Sequence, residues 1–158
     1  MVAGVLGGLV GGMVMAACCM VMLYATGEGL WAPLNYIAHT FWRQAPLDGT
    51  WNSTAAVIGI AMHLLMSLLL GVLFALLAAR VRPAPRRLSS WALAGMLYGL
   101  TLWVINHYLL WPMVDRAAAQ AFTPWVFAVG HLIYGLALGW MVAMISRYSV
   151  RTQRGPSR

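Results

Sequence analysis

Four long stretches of this chain contain no Asp, Glu, Lys or Arg: residues 2–24, 55–79, 91–113 and 125–146. Each exceeds the roughly 20 residues that a helix needs to cross about 30 Å of hydrocarbon. None alternates apolar with polar residues as a barrel strand must, so each backbone polar group at membrane depth has to be satisfied within a helix. The chain is therefore expected to be all-α, a polytopic membrane protein with residues 1–158 forming one four-helix transmembrane domain. Its 62% hydrophobic and 8% charged residues set it apart from soluble domains, which are nearer half apolar and a quarter charged. The first stretch lacks a basic n-region and is long and glycine-rich for a secretory h-region, which favours an uncleaved first span.

Charge sets the orientation. All ten basic residues are arginine. Arg80, Arg82, Arg86 and Arg87 lie between the second and third spans, and Arg147, Arg151, Arg154 and Arg158 lie in a basic tail over residues 147–158. Arg43 and Arg116 fall on the opposite side with all three acids, Glu28, Asp48 and Asp115. The positive-inside rule places the arginine loop, the tail and both termini in the cytoplasm. The net charge of +7 is then spent on topology and on anionic lipid heads, and no nucleic-acid partner is expected.

Between the spans, LWAPLNYIAHTFW (residues 30–42) has the aromatic content of a short helix lying at the outer interface, with Pro33 near its start. The second external segment has the helix-friendly core DRAAAQAF. The arginine loop is short and held by Pro83 and Pro85, so spans two and three are expected to be close antiparallel neighbours. The halves echo each other: His63 precedes Gly71 by the same spacing as His131 precedes Gly139, and an arginine ends each span. Two similar hairpins in parallel orientation are expected, related by an axis along the membrane normal.

Residues four apart share a helix face. That spacing aligns Gly4, Gly8 and Gly12 in span one, and Gly59, His63, Ser67 and Gly71 in span two. It aligns Gly95, Gly99, Trp103 and His107 in span three, and His131, Gly135 and Gly139 in span four. Small residues at this spacing mark where membrane helices approach each other, so each histidine is expected on a packing seam. Counted from the outer ends at about 1.5 Å per residue, His63 lies roughly 12 Å deep, and His107, His131 and Cys18 roughly 9 Å.

Ionisable groups at such depth are costly and tend to be functional. Three uses compete. The histidines can be interhelical hydrogen-bond glue, with Ser67, Asn106, Tyr134 or backbone carbonyls as partners. They can form a shared site for haem or a transition metal, with Cys18, Cys19 or Met66 adding a soft ligand. Or they can relay protons, with His39 as the entry point. Cys18 and Cys19 are adjacent and cannot bridge each other without strain.

No Walker loop, GxGxxG, CxxC or HExxH occurs, and the acids all lie outside the spans, so no enzyme is expected. The expected function is a non-enzymatic binding or accessory membrane protein with a site at His63, His107 and His131. It would act as a homo-oligomer or with other membrane subunits, because seams such as Gly4-Gly8-Gly12 need partners. The alternative is a small transporter or channel for protons, metal ions or a solute.

From residue 55 to 147, the series HLLMSLLLGVLFALLAAR, a basic proline-containing loop, LSSWALAGMLYGLTLWVINHYLLWPM and FAVGHLIYGLALGW with a basic end resembles the YagU-like family of uncharacterised bacterial inner-membrane proteins. The resemblance implies a bacterial inner-membrane location and histidines shared at positions 63, 107 and 131. It implies no activity.

Overall fold

The computed structural model describes residues 2–80 and 87–153, with side chains as far as residue 145. Arg82, Arg86, Arg154 and Arg158, and the side chains of Arg147 and Arg151, lie outside the described residues. All regular structure among the described residues is helical: α1 (Val2–Ala25), α2 (Ala32–Phe41), α3 (Ser53–Arg80), α4 (Leu88–Ile105), a π turn (Asn106–Leu110), α5 (Trp111–Val114), α6 (Arg116–Ala121) and α7 (Pro124–Gln153). Four helical stretches are long and apolar enough to span a membrane: α1, α3, the α4–α5 run to Val114, and α7 to Ile145.

Helix ends follow local chemistry. The α1 helix stops in a Schellman-type turn, in which the amide of Glu28 donates to the Leu23 carbonyl at 2.9 Å. Gly27 takes φ +86° there, a backbone that an L side chain resists. Asp115 caps α6, its side chain accepting from the amide of Ala118. Span three is not one uninterrupted α-helix, as its apolar run suggested. Pro112 has no N–H to donate and crowds the carbonyl one turn back. The ladder just before it widens instead, with the Trp111 amide bonded to the carbonyl of Asn106.

The spans pack as two hairpins. In the first, a Cβ placed on Gly4 would sit 2.6 Å from the Gly71 carbonyl oxygen, and one on Gly8 would sit 2.5 Å from that of Ser67. In the second, Gly95 meets Gly135, Gly99 meets His131 and Gly135, and Gly139 meets the Trp91 backbone, all at distances that leave no room for a Cβ. The register is the same in both. Gly8 faces Ser67 as Gly95 faces Gly135, and Gly12 faces His63 and Ser67 as Gly99 faces His131 and Gly135. Without hydrophobic drive between helices in lipid, such backbone-to-backbone contact is what holds the pairs together.

The hairpins join through α1 and α7, where Gly7 and Gly11 accept Leu138, Met141, Tyr134 and Ala137. The hub is α7: 56% of its most apolar window is buried, against 17% for α3. Two sequence expectations are corrected here. The Gly4-Gly8-Gly12 seam is filled by α3 of the same chain, so it supplies no reason for a further subunit. Spans two and three are also not close backbone neighbours, because α3 packs chiefly on α1 and α4 on α7. Their glycine faces point away from each other, and the bulky faces left between them hold the backbones apart. They meet through side chains alone: Phe74 lies 5.0 Å from Tyr98, centroid to centroid, and the Tyr98 hydroxyl donates to the Leu70 carbonyl at 2.8 Å.

Candidate functional site

That separation leaves a cavity of about 380 Å³, bounded by α3, the π-turned third span and α7. Its floor lies just above the Tyr98–Leu70 bond. Its roof is α2, which contributes Ile37, Thr40 and Phe41. The α2 helix is fastened there from both sides. Gly59 of α3 lets the Leu34 backbone approach without room for a Cβ, and the Trp111 indole donates to the Thr40 hydroxyl at 2.8 Å. Phe41, Met66, Leu110 and Val114 line the cavity and are 47–59% exposed, so its mouth opens sideways toward where lipid would lie.

The face of span three on this cavity is Leu102, Asn106 and Leu110, one residue ahead of the Trp103–His107 face that the small-residue spacing singled out. Inside, the walls are mostly apolar, with His63, Ser67, Asn106 and His131 as the polar minority. His63 is held by its Nε2–H, which donates to the Gly12 carbonyl of α1 at 2.8 Å. His131 is 4% exposed. Its Nδ1–H donates to the Phe127 carbonyl at 2.9 Å, and its Nε2 lies 3.4 Å from Nδ2 of Asn106.

The expected three-histidine site is not assembled. His63 and His131 line one cavity, whereas His107 lines another, about 520 Å³, with Tyr108, Arg116 and Gln120. The Phe127 ring touches both His131 (4.4 Å between centroids) and His107 (5.8 Å). His107 also stacks with Trp103, and its Nδ1 has no hydrogen-bond partner. Cys18 does not line the His63 cavity, and its neighbour Cys19 packs on α7 near the Val126 carbonyl. Among the described residues, no group of three or more His, Cys, Asp or Glu is placed to hold a metal ion. The donor set proposed for haem or a transition metal therefore does not gather.

His63 and His131 have separate partners, so their energetic roles should be separable. His63→Ala is expected to cost about 0.6–2 kcal/mol, the worth of one interhelical hydrogen bond in a membrane. Its effect should add to that of His107→Ala within about 0.5 kcal/mol. Denaturant unfolding in mixed micelles of both single variants and the double variant checks this. A coupling well above that figure would mean that the two rings share a network.

A second polar cluster, not legible as a unit in the sequence, sits above the roof. Asp115, whose side chain is 1% exposed, accepts from His39 Nδ1 and Arg43 at 2.6 Å each through one oxygen, Oδ2. Its other oxygen accepts from the Ala118 amide. Burial pushes this carboxyl upward, but the His39 bond, the Ala118 amide and the His39 and Arg43 charges outweigh it and hold it below the usual carboxylate range. His39, expected as the entry to a proton relay, is thus engaged in tying α2 to α6. The paired signal was an N-capping aspartate ahead of RAAAQA and two basic residues one turn apart at the end of α2.

No curated protein and no solved structure matches the chain. One family model, described as a family of unknown function (DUF6789), matches residues 1–152.

Proposed function

The chain belongs to the DUF6789 family of unknown function, and from the geometry of its own cavity we propose a non-enzymatic binding role, in which a mostly apolar small molecule is taken sideways from the bilayer into the gap between α3 and the third span. The observation that carries this is the combination of a lipid-level mouth with a largely apolar interior holding a few polar groups, the composition expected of a site for an amphiphile. The Phe74–Tyr98 contact and the Tyr98–Leu70 bond below the cavity favour holding a molecule over passing it across the membrane.

The test is photolabelling of the full chain in lipid nanodiscs with a long-chain alkyl diazirine. Met66, Leu70 and Leu102 should be modified saturably. Leu73 and Leu97, exposed on the same helices, should be modified in proportion to dose. Dose-proportional labelling at all five positions would contradict a binding site.

The arginine distribution and the YagU-like resemblance support a bacterial inner membrane with both termini cytoplasmic. Under this orientation the cavity opens to the outer leaflet. In a Cys18→Ala, Cys19→Ala background, Gln44→Cys should react with an impermeant thiol reagent in intact cells, and Ser89→Cys should react only after lysis. The reverse pattern would invert the orientation.

A further inference from the structure

The two histidines lining the cavity have their tautomers fixed by bonds to backbone carbonyls. A carbonyl oxygen can only accept. Nε2 of His63, facing the Gly12 oxygen at 2.8 Å, therefore carries the ring proton, and in the neutral ring Nδ1 is a bare lone pair. The same reasoning applied to His131, whose Nδ1 faces the Phe127 oxygen at 2.9 Å, makes its Nε2 the lone pair. That nitrogen has only the Asn106 amide at 3.4 Å, beyond the usual 2.7–3.2 Å of an N–H hydrogen bond. No partner for His63 Nδ1 exists among the described residues.

The donors around the cavity are committed elsewhere. The Tyr134 hydroxyl donates to the Ser67 carbonyl, and the Trp111 indole donates to the Thr40 hydroxyl. The cavity thus presents two imidazole acceptors in excess of its own free donors, in surroundings where an unmatched polar group is costly. An occupant has to bring the missing proton.

Resting on the binding role above, we propose that the occupant is a neutral amphiphile with a hydroxyl head, a phenol or lipid alcohol, whose O–H donates to an imidazole nitrogen in the cavity. A ketone or quinone head would set its oxygen lone pairs against those of the rings. An ammonium head has no carboxylate to meet, since none lines the cavity. A carboxylate head would face acceptors alone.

The experiment competes two probes against the saturable diazirine label in nanodiscs holding the full chain: 4-octylphenol and its methyl ether, 4-octylanisole, which keeps the chain and loses the donor. The phenol should compete about 3- to 10-fold more strongly, the effect of one buried neutral hydrogen bond. His63→Phe together with His131→Phe should abolish that preference while leaving competition by the ether. If this double variant fails to fold, the wild-type ratio decides alone. Equal competition, or stronger competition by the ether, would overturn the hydroxyl assignment and leave the cavity as a binding site. Failure of both probes to compete would overturn the assignment too, and would count against the binding role itself if the label also proves unsaturable.

Discussion

Gly95→Val should be the most damaging single substitution in the membrane-spanning part. The position a side chain would take is already filled by the backbone of Gly135 and Gly139 on α7, and backbone cannot rotate out of the way as a side chain can. Separating α4 from α7 also loosens the contacts of Gly99 and Gly135, so the cost should reach or exceed the roughly 1–3 kcal/mol of ordinary overpacking. Gly7→Ala is the control. Its nearest neighbours are Leu138 Cδ2 and Met141 Cβ, both at 3.2 Å, and these side chains can give way at a cost of under about 1.5 kcal/mol. Unfolding in mixed micelles, followed by tryptophan fluorescence, should separate the two variants clearly. Equal losses would mean that the α4–α7 seam is not close-packed.

Asp115→Ala should be the most damaging substitution outside the spans. It removes the α6 cap, worth about 0.5–2 kcal/mol, and leaves His39 and Arg43 without their acceptor. Breaking a buried pair costs about 3–5 kcal/mol, but Arg43 is 54% exposed and regains much of its solvation. A total of about 2–4 kcal/mol is therefore expected. Asp115→Asn keeps an oxygen for the cap and should cost less.

The acid dependence has a definite sign. A carboxyl held below its ordinary 3.8 in the fold contributes stability that is present above that pH and lost as pH falls through the lower folded value. Acid titration of stability should show this loss in the wild type and not in Asp115→Asn. An identical acid profile in both would remove Asp115 as the source.

The fold was legible where one physical rule dominates. Spanning helices follow from unbroken apolar runs, because a lipid core leaves the backbone no other solution. Small residues four apart mark where α3 meets α1 and where α7 meets α4, because only glycine and serine admit backbone contact at those points. The lateral arrangement was not legible. Loop length suggested that α3 and α4 are neighbours, but the glycine faces choose α1 and α7, and a short loop can join helices that touch only through Phe74 and Tyr98.

The site was half legible for a related reason. The seam rule found His63 and His131, which lie beside those close contacts. It also selected Trp103 and His107 on span three, while Leu102, Asn106 and Leu110 face the cavity. The rule assigns an unbroken 3.6-residue period, and Pro112 interrupts that period with a π turn. Trp111-Pro112 was the available signal. The Asp115 cluster joins residues 39, 43 and 115 across two external segments, and no periodic pattern links segments that meet only in the folded chain.

The most direct test of lateral binding is native mass spectrometry of the chain ejected from its own membrane, compared with Met66→Trp, whose indole should fill the mouth of the cavity. The wild type should carry one discrete apolar molecule per chain, a species distinct from the bulk phospholipids, and the variant should lack it. The same adducts on both proteins, in the proportions of the surrounding phospholipids, would contradict the account.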